Sequence, residues 1–132
     1  MSNGSEMVSA EIQIGNLSRA DGAVHVAVFR DEASFKAERS SCYEEVITVS
    51  SRSPIRLRLP ELPAGKYAIA AFHDQNGNGK LDKNWMGIPQ EPYALSNNVS
   101  AKWKAPTFED VAVEINSDNQ QISLKLMSWD ER

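Results

Sequence analysis

The sequence has few of the residues and patterns on which several protein classes depend. Only one of its 132 residues is a cysteine, Cys42, which excludes an internal disulfide and a cysteine-based metal cluster. No apolar run is long enough to cross a bilayer, and residues 1–6 lack the charged and apolar regions of a signal peptide. Basic residues number 14 against 18 acidic ones, and the net charge of −4 argues against a nucleic-acid partner.

The length of the chain fits a single domain with a substantial core. The small, polar residues at the start predict a disordered tail over residues 1–8. We expect one β-sandwich domain over residues 9–128 and a short C-terminal tail over residues 129–132.

Alternation of apolar and polar residues, the pattern of half-buried strands, dominates this region. It predicts strands at residues 10–14, 24–30, 43–50, 54–60, 67–72, 111–115 and 122–126. The first two are expected to form a hairpin, and so are the last two. Helix is predicted only over residues 31–39, capped by Asp31 or Ser34. About seven strands with so little helix predict an all-β fold, a two-sheet antiparallel β-sandwich.

Two of these strands lack a regular alternation of apolar and polar residues. The alternation over residues 43–50 is irregular, so either Ile47 and Val49 or Val46 and Thr48 face the core. Residues 67–72 are apolar on both faces, which is typical of a central strand covered on both sides. This strand leads directly into the most distinctive stretch of the chain, the polar loop over residues 74–82.

The polar loop resembles a calcium loop in the spacing of its oxygen-bearing residues. In the twelve-residue pattern, the metal is bound by side chains at positions 1, 3, 5 and 9 and by a backbone carbonyl at position 7. The side chains here are Asp74, Asn76, Asn78 and Asp82, and the carbonyl is that of Lys80. Gly79 supplies the turn at position 6. Position 12 is Trp85 instead of Glu, so we expect a weak affinity of about 10⁻⁴–10⁻³ M unless Glu91 folds back as a ligand. The alternative is a chain of Asx turns that needs no metal.

Apolar and aromatic residues follow the loop closely. Trp85, Met86, Ile88, Pro89 and Tyr93 would form a surface for a protein, peptide or glycan if they lay together at the surface. The alternative is that this segment folds back and its aromatic side chains complete the core. We favour the second arrangement, because a long loop in a compact domain must pack against something.

Several stretches together resemble the bacterial DUF2141 family of uncharacterised proteins. They are Gly65–Asp74, Asn76–Asp82, Gly87–Pro89, Glu91–Tyr93, Ser96–Asn98 and Phe108–Asp110. The resemblance implies a prealbumin-like or immunoglobulin-like β-sandwich and a periplasmic or secreted protein, and it implies no activity. The loop beside Gly87-Ile88-Pro89 is also similar, more distantly, to calcium-bearing B repeats of bacterial surface adhesins.

Two classes of function agree with these residues. The first is a non-catalytic binding or structural module with a loop ordered by calcium, and this is the class we expect. The second is a small hydrolase or isomerase that uses His73, Asp74 and a carboxylate such as Glu91 or Asp82. Neighbouring residues of a strand point to opposite faces, so His73 and Asp74 do not pair merely by adjacency. A cleft joining His73, Asp82 and Glu91 would favour the enzyme.

Overall fold

The computed structural model describes residues 7–81, 89–99 and 106–129, and these are mainly β-strands in several sheets. This confirms the prediction of a mainly β protein. The strands are β1 (Met7–Val8), β2 (Ala10–Gly15), β3 (Ala23–Phe29), β4 (Tyr43–Thr48), β5 (Ile55–Arg58), β6 (Leu62–Pro63), β7 (Gly65–Asp74), β8 (Tyr93–Leu95), β9 (Val113–Ile115) and β10 (Gln120–Lys125). The helices are α1 (Glu32–Ala37), α2 (Phe108–Val111) and a 3-10 turn (Ser96–Asn98). None of the helices in these ranges has the length and apolar character needed to span a membrane.

The strands form two larger sheets and one small one. The largest sheet has the order β4-β3-β7-β8, with β9 also paired to β7. The second has the order β10-β2-β5, and β1 pairs with β6. The sheets of the described ranges do not close into a barrel. The β10–β2 ladder is parallel whereas the other ladders are antiparallel, so the expectation of purely antiparallel sheets is wrong there.

Neither predicted hairpin is present. β2 and β3 lie in different sheets, and so do β9 and β10. The connection after β2 crosses between the sheets because Leu17 is buried in the core and the Asn16 side chain donates to the Leu126 carbonyl at 2.6 Å. Alternation located seven strands, but the one predicted over residues 111–115 begins at Val113 because Val111 belongs to α2. The short strands β1, β6 and β8 were not predicted from alternation. Alternation specifies which face of a strand is buried and not which strand lies beside it.

One hydrophobic core contains side chains from both larger sheets. Ile12 and Ile14 of β2 and Val26 of β3 contribute to it, and all three are buried. Ile47 packs against this core whereas Val46 is 56% exposed, which settles the orientation of β4. Val8 of β1 is also buried, so ordered structure begins within the predicted N-terminal tail.

A second, smaller core lies on the opposite face of the largest sheet. It contains Phe29 of β3 and Phe108 of α2, and Phe35 of α1 packs against it. The Asp31 carboxylate accepts the Ser34 amide at 2.8 Å, which confirms Asp31 as the N-cap of α1. The two short helices therefore cover one end of this face.

Strand β7 is the central strand of the largest sheet, as predicted. It pairs with β3 as far as Asp74, and β8 and β9 share its other edge. Ser96 fills the space between β8 and β9, where its hydroxyl accepts the Ile69 amide at 3.0 Å and donates to the Val111 carbonyl at 2.6 Å. The polar loop thus extends from a strand that is held on both edges.

Candidate functional site

The site lies where β7 ends and the polar loop begins. The register places His25 of β3 opposite Phe72 of β7, and their rings stack with centroids 4.7 Å apart. Asp74 lies two positions beyond Phe72, on the same face of the sheet. His73 faces the other way, opposite the buried Val24. The sheet therefore separates the two side chains that are adjacent in sequence.

The Asp74 carboxylate is the centre of the loop. It is 2% exposed, and its Oδ1 accepts the Gly77 amide at 3.0 Å. Its Oδ2 accepts the Gly79 amide at 2.8 Å and lies 3.2 Å from Nε2 of His25. A buried carboxylate requires such partners, because its desolvation is otherwise costly. One side chain thereby holds both glycine turns of the loop against the end of β7.

The conformation of the loop depends on its glycines. Gly77 and Gly79 have φ angles of +76° and +81°, which side chains other than glycine rarely adopt. Each glycine follows an asparagine that forms an Asx turn: the Asn76 side-chain oxygen accepts the Asn78 amide at 3.1 Å, and that of Asn78 accepts the Lys80 amide at 3.1 Å. The loop therefore has the self-bonded structure that was the metal-free alternative.

The electrostatics of the site favour an ionised Asp74. Burial raises the pKa of this carboxyl, but hydrogen bonds from the amides of Gly79 and Gly77 lower it, as do the charge and hydrogen bond of His25. The net result is a pKa below the ordinary value for aspartate. Asp74 therefore acts as a structural anion that organises backbone donors.

The His73 side chain contacts the turn before β3 and not the loop. It is fully buried, and its Nε2 lies 2.7 Å from the Asp21 carbonyl oxygen. Because a carbonyl only accepts, Nε2 carries the proton, and Nδ1 has no hydrogen-bond partner in the described part of the chain. The adjoining Gly22 has a φ of +77°, and a side chain there would approach the Asp74 carbonyl to 2.5 Å. The turn before β3 is thus packed tightly against the start of the loop.

Glu91 folds back to the loop, where its carboxylate accepts a backbone amide. It is 5% exposed, and its Oε2 accepts the Gln75 amide at 2.7 Å. The next residue, Pro92, accepts the His73 amide at 2.9 Å through its carbonyl. Glu91 and Asp74 together therefore accept three backbone amides of the loop, those of Gln75, Gly77 and Gly79.

The predicted metal ligands are only partly within the described residues. Asp74, Asn76, Asn78 and Lys80 belong to the described loop, whereas Asp82 lies outside it. Within residues 7–81, 89–99 and 106–129, no three His, Cys, Asp or Glu side chains form a metal-binding group. Carboxylate and amide oxygens accept from more than one direction, so an Asx turn is compatible with cation binding.

The predicted aromatic surface is also only partly described. Trp85, Met86 and Ile88 lie outside the described residues, and Pro89 is half-buried. Tyr93 is 5% exposed and pairs with Phe72 in the largest sheet, so it is not part of an exposed surface. Its position agrees with the arrangement favoured from the sequence, in which the aromatic side chains complete the core.

Three of the four side chains considered for catalysis belong to the described residues, and Asp82 lies outside them. His73 contacts the Asp21 carbonyl, Asp74 contacts His25, and Glu91 contacts the Gln75 amide. The pairing of Asp74 with His25 was missed because it depends on the register of β3 against β7. The contact could have been predicted if β3 had been recognised as the neighbour of β7, because this pairing places Asp74 and His25 on one face of the sheet.

Comparison with known proteins adds one relationship. Residues 12–123 match the model of a family described as "Uncharacterized protein conserved in bacteria (DUF2141)". This confirms the resemblance noted in the sequence. No curated protein and no solved structure matches the chain.

Proposed function

This chain belongs to the DUF2141 family of bacterial proteins, and we propose that it is a non-catalytic binding or structural module. Its architecture in this proposal is a two-sheet β-sandwich of prealbumin-like or immunoglobulin-like type. The shared core, in which side chains of β2 pack with those of β3 and β7, supports this architecture. The polar loop would then extend from one end of the sandwich.

The observation that carries the proposal is the use of the Asp74 carboxylate. Both oxygens accept amides of the loop, and one also contacts His25. A carboxylate held in this way stabilises a loop shape and is poorly placed to accept a substrate proton. Fixing a loop on a rigid strand is what a binding module requires, because less conformational entropy is then lost on binding.

We propose further that calcium orders the rest of the loop. Asp74, Asn76, Asn78 and Asp82 would supply side-chain oxygens, and Lys80 would supply its carbonyl. The glycine turns and the Asx turns already give residues 74–80 a defined shape, which supports the proposal. Calcium would add a positive charge that balances the carboxylates.

Thermal melting with calcium and with a chelator tests this part. For a dissociation constant of about 10⁻³–10⁻⁴ M, about 10 mM calcium stabilises the native state by about 1.4–2.7 kcal/mol, so the melting temperature rises by several degrees. The matched control is Asp21→Asn, which neutralises an exposed carboxylate on the neighbouring turn and leaves the rise unchanged. An equal melting temperature with calcium and chelator would leave the loop as self-bonded turns.

The location and partner follow from the same proposal. An affinity in this range suits an exported protein, since weak calcium sites are typical of extracellular modules. We therefore propose a periplasmic or secreted protein whose partner is a protein, peptide or glycan. Recovery of the native protein from the cytosolic fraction of its host would contradict the location.

A further inference from the structure

Backbone hydrogen bonds join the two larger sheets on the side where β8 and the end of β10 lie. Tyr93 of β8 and Met127, just after β10, exchange backbone hydrogen bonds of 3.1 Å in both directions. The strand order then places β4 and β5 at the opposite ends of their sheets. Within the described ranges, each of these two strands pairs with a single neighbour. Their outer edges therefore carry backbone groups that are available to another strand.

The two edges carry opposite charges. β4 contains Glu44 and Glu45 and no basic residue, whereas β5 contains Arg56 and Arg58 and no acidic residue. Glu44 and both arginines are exposed. The described part of the chain gives these four side chains no ion pair within 4.0 Å. The hydrogen-bond partners of three of them are neutral: Glu44 and Glu45 accept the hydroxyls of Ser41 and Tyr43, and Arg58 donates to Ser9 and Asn119.

We propose that a second copy of this chain occupies both edges, with β4 of each copy pairing with β5 of the other. Neighbouring residues of a strand point to opposite faces, so Glu44 shares the exposed face with Arg56 and Arg58 whereas Glu45 does not. Pairing β5 with β5 would set arginines against arginines. Mixed pairing sets Glu44 against an arginine, and it is the one combination of these two edges that brings opposite charges together. Because both edges lie on the same side of the molecule, one two-fold axis forms both mixed pairs at once and closes the dimer.

The residues of β4 and β5 also favour a second copy of this chain as the partner of these edges. β4 has neither the lysine nor the proline that commonly protects an edge strand, and its Val46 is 56% exposed. Pro54 and Pro60 flank β5 and limit its pairing segment to Ile55–Arg58. Arg56 and Arg58 lie on the same face of this short segment, so either of them can face Glu44.

Sedimentation equilibrium of the purified chain and two charge-reversal variants tests the dimer. The parent protein sediments as a dimer that weakens in about 0.5 M salt, because exposed ion pairs are screened. Glu44→Lys/Glu45→Lys and Arg56→Glu/Arg58→Glu each raise the dissociation constant at least about tenfold, since each makes both mixed pairs repulsive. An equimolar mixture of the two variants restores a dimer, because both pairs in that heterodimer are again complementary.

The control is Glu109→Lys/Glu114→Lys, which changes the net charge as the β4 variant does but at exposed residues of α2 and β9. It remains a dimer. Circular dichroism establishes that each variant is folded. A monomeric parent, a β4 variant that dimerises as well as the parent, or a mixture of folded variants that stays monomeric would overturn the proposal.

Discussion

Nε2 of His25 lies 3.2 Å from Oδ2 of Asp74, although 49 residues separate the two along the chain. The contact arises because β3 pairs with β7 and His25 stacks on Phe72. The same carboxylate accepts the amides of Gly77 and Gly79. One anion therefore joins two strands of the sheet to the loop, and the loop's shape depends on the stability of that contact.

Replacing Asp74 tests this dependence. Asp74→Asn keeps the size of the side chain but removes the charge and replaces one acceptor oxygen by a donor group. We expect the free energy of unfolding to fall by about 1.5–3 kcal/mol, the range for hydrogen bonds to charged groups. Urea denaturation measures the change. Asp21→Asn, which removes the charge from an exposed ion pair with Arg19, is expected to stay within about 1 kcal/mol of the parent.

The contribution of Asp74 also depends on pH. Its pKa in the folded protein is lowered by the loop amides and by His25, which outweigh the raising effect of burial. A carboxyl with a lowered folded pKa stabilises the protein above its unfolded pKa of about 3.9 and loses this effect as pH falls through the folded pKa. The stability difference between the parent and Asp74→Asn should therefore shrink between about pH 5 and pH 3. A difference that stayed constant over this range would contradict the assignment.

His25 should influence the titration of Asp74 directly. His25→Phe preserves stacking on Phe72 but removes the ring nitrogen and its charge. We expect the pKa of the Asp74 carboxyl to rise relative to the parent, because the charge and the hydrogen bond of His25 both lower it. Carbon-13 NMR of the Asp74 carboxyl against pH measures the shift. An unchanged titration would mean that the imidazole makes no electrostatic contribution.

The Ser96 hydroxyl should stabilise the edge of β7 that lies between β8 and β9. Its buried hydroxyl accepts the Ile69 amide, and Ser96→Ala leaves that amide without this acceptor. The expected cost is about 1–3 kcal/mol, and hydrogen exchange of the Ile69 amide should accelerate. Ser123→Ala, on the exposed face of β10, provides the matched control and should change little. Equal effects of the two substitutions would contradict the role of Ser96.

Sequence reasoning located most elements because local signals determined them. The Asp31 cap of α1, the alternation of β2 and β5, and the two-sided apolar character of β7 are all local and were predicted correctly. The pairing of strands is not local. Both hairpins were wrong because the connections cross between sheets, and the parallel pairing of β10 with β2 leaves no mark on either strand's alternation.

The same distinction applies to the site. The Asx turns of Asn76 and Asn78 follow from residue types at adjacent positions, and the sequence anticipated them as the metal-free alternative. The partners of His25 and Glu91 depend on which strands and segments lie beside the loop. Side chains brought together by tertiary contacts cannot be paired from the spacing of residues along the chain.

The most direct test of the proposed function is a calcium titration followed by NMR of the Gly77 and Gly79 amides. These amides bind the Asp74 carboxylate, so they report any cation that the carboxylate contacts. The account predicts saturable shifts confined to the loop, half complete at about 10⁻⁴–10⁻³ M calcium. Amide signals that do not move up to about 10 mM calcium would contradict it and identify the loop as a purely self-bonded structure.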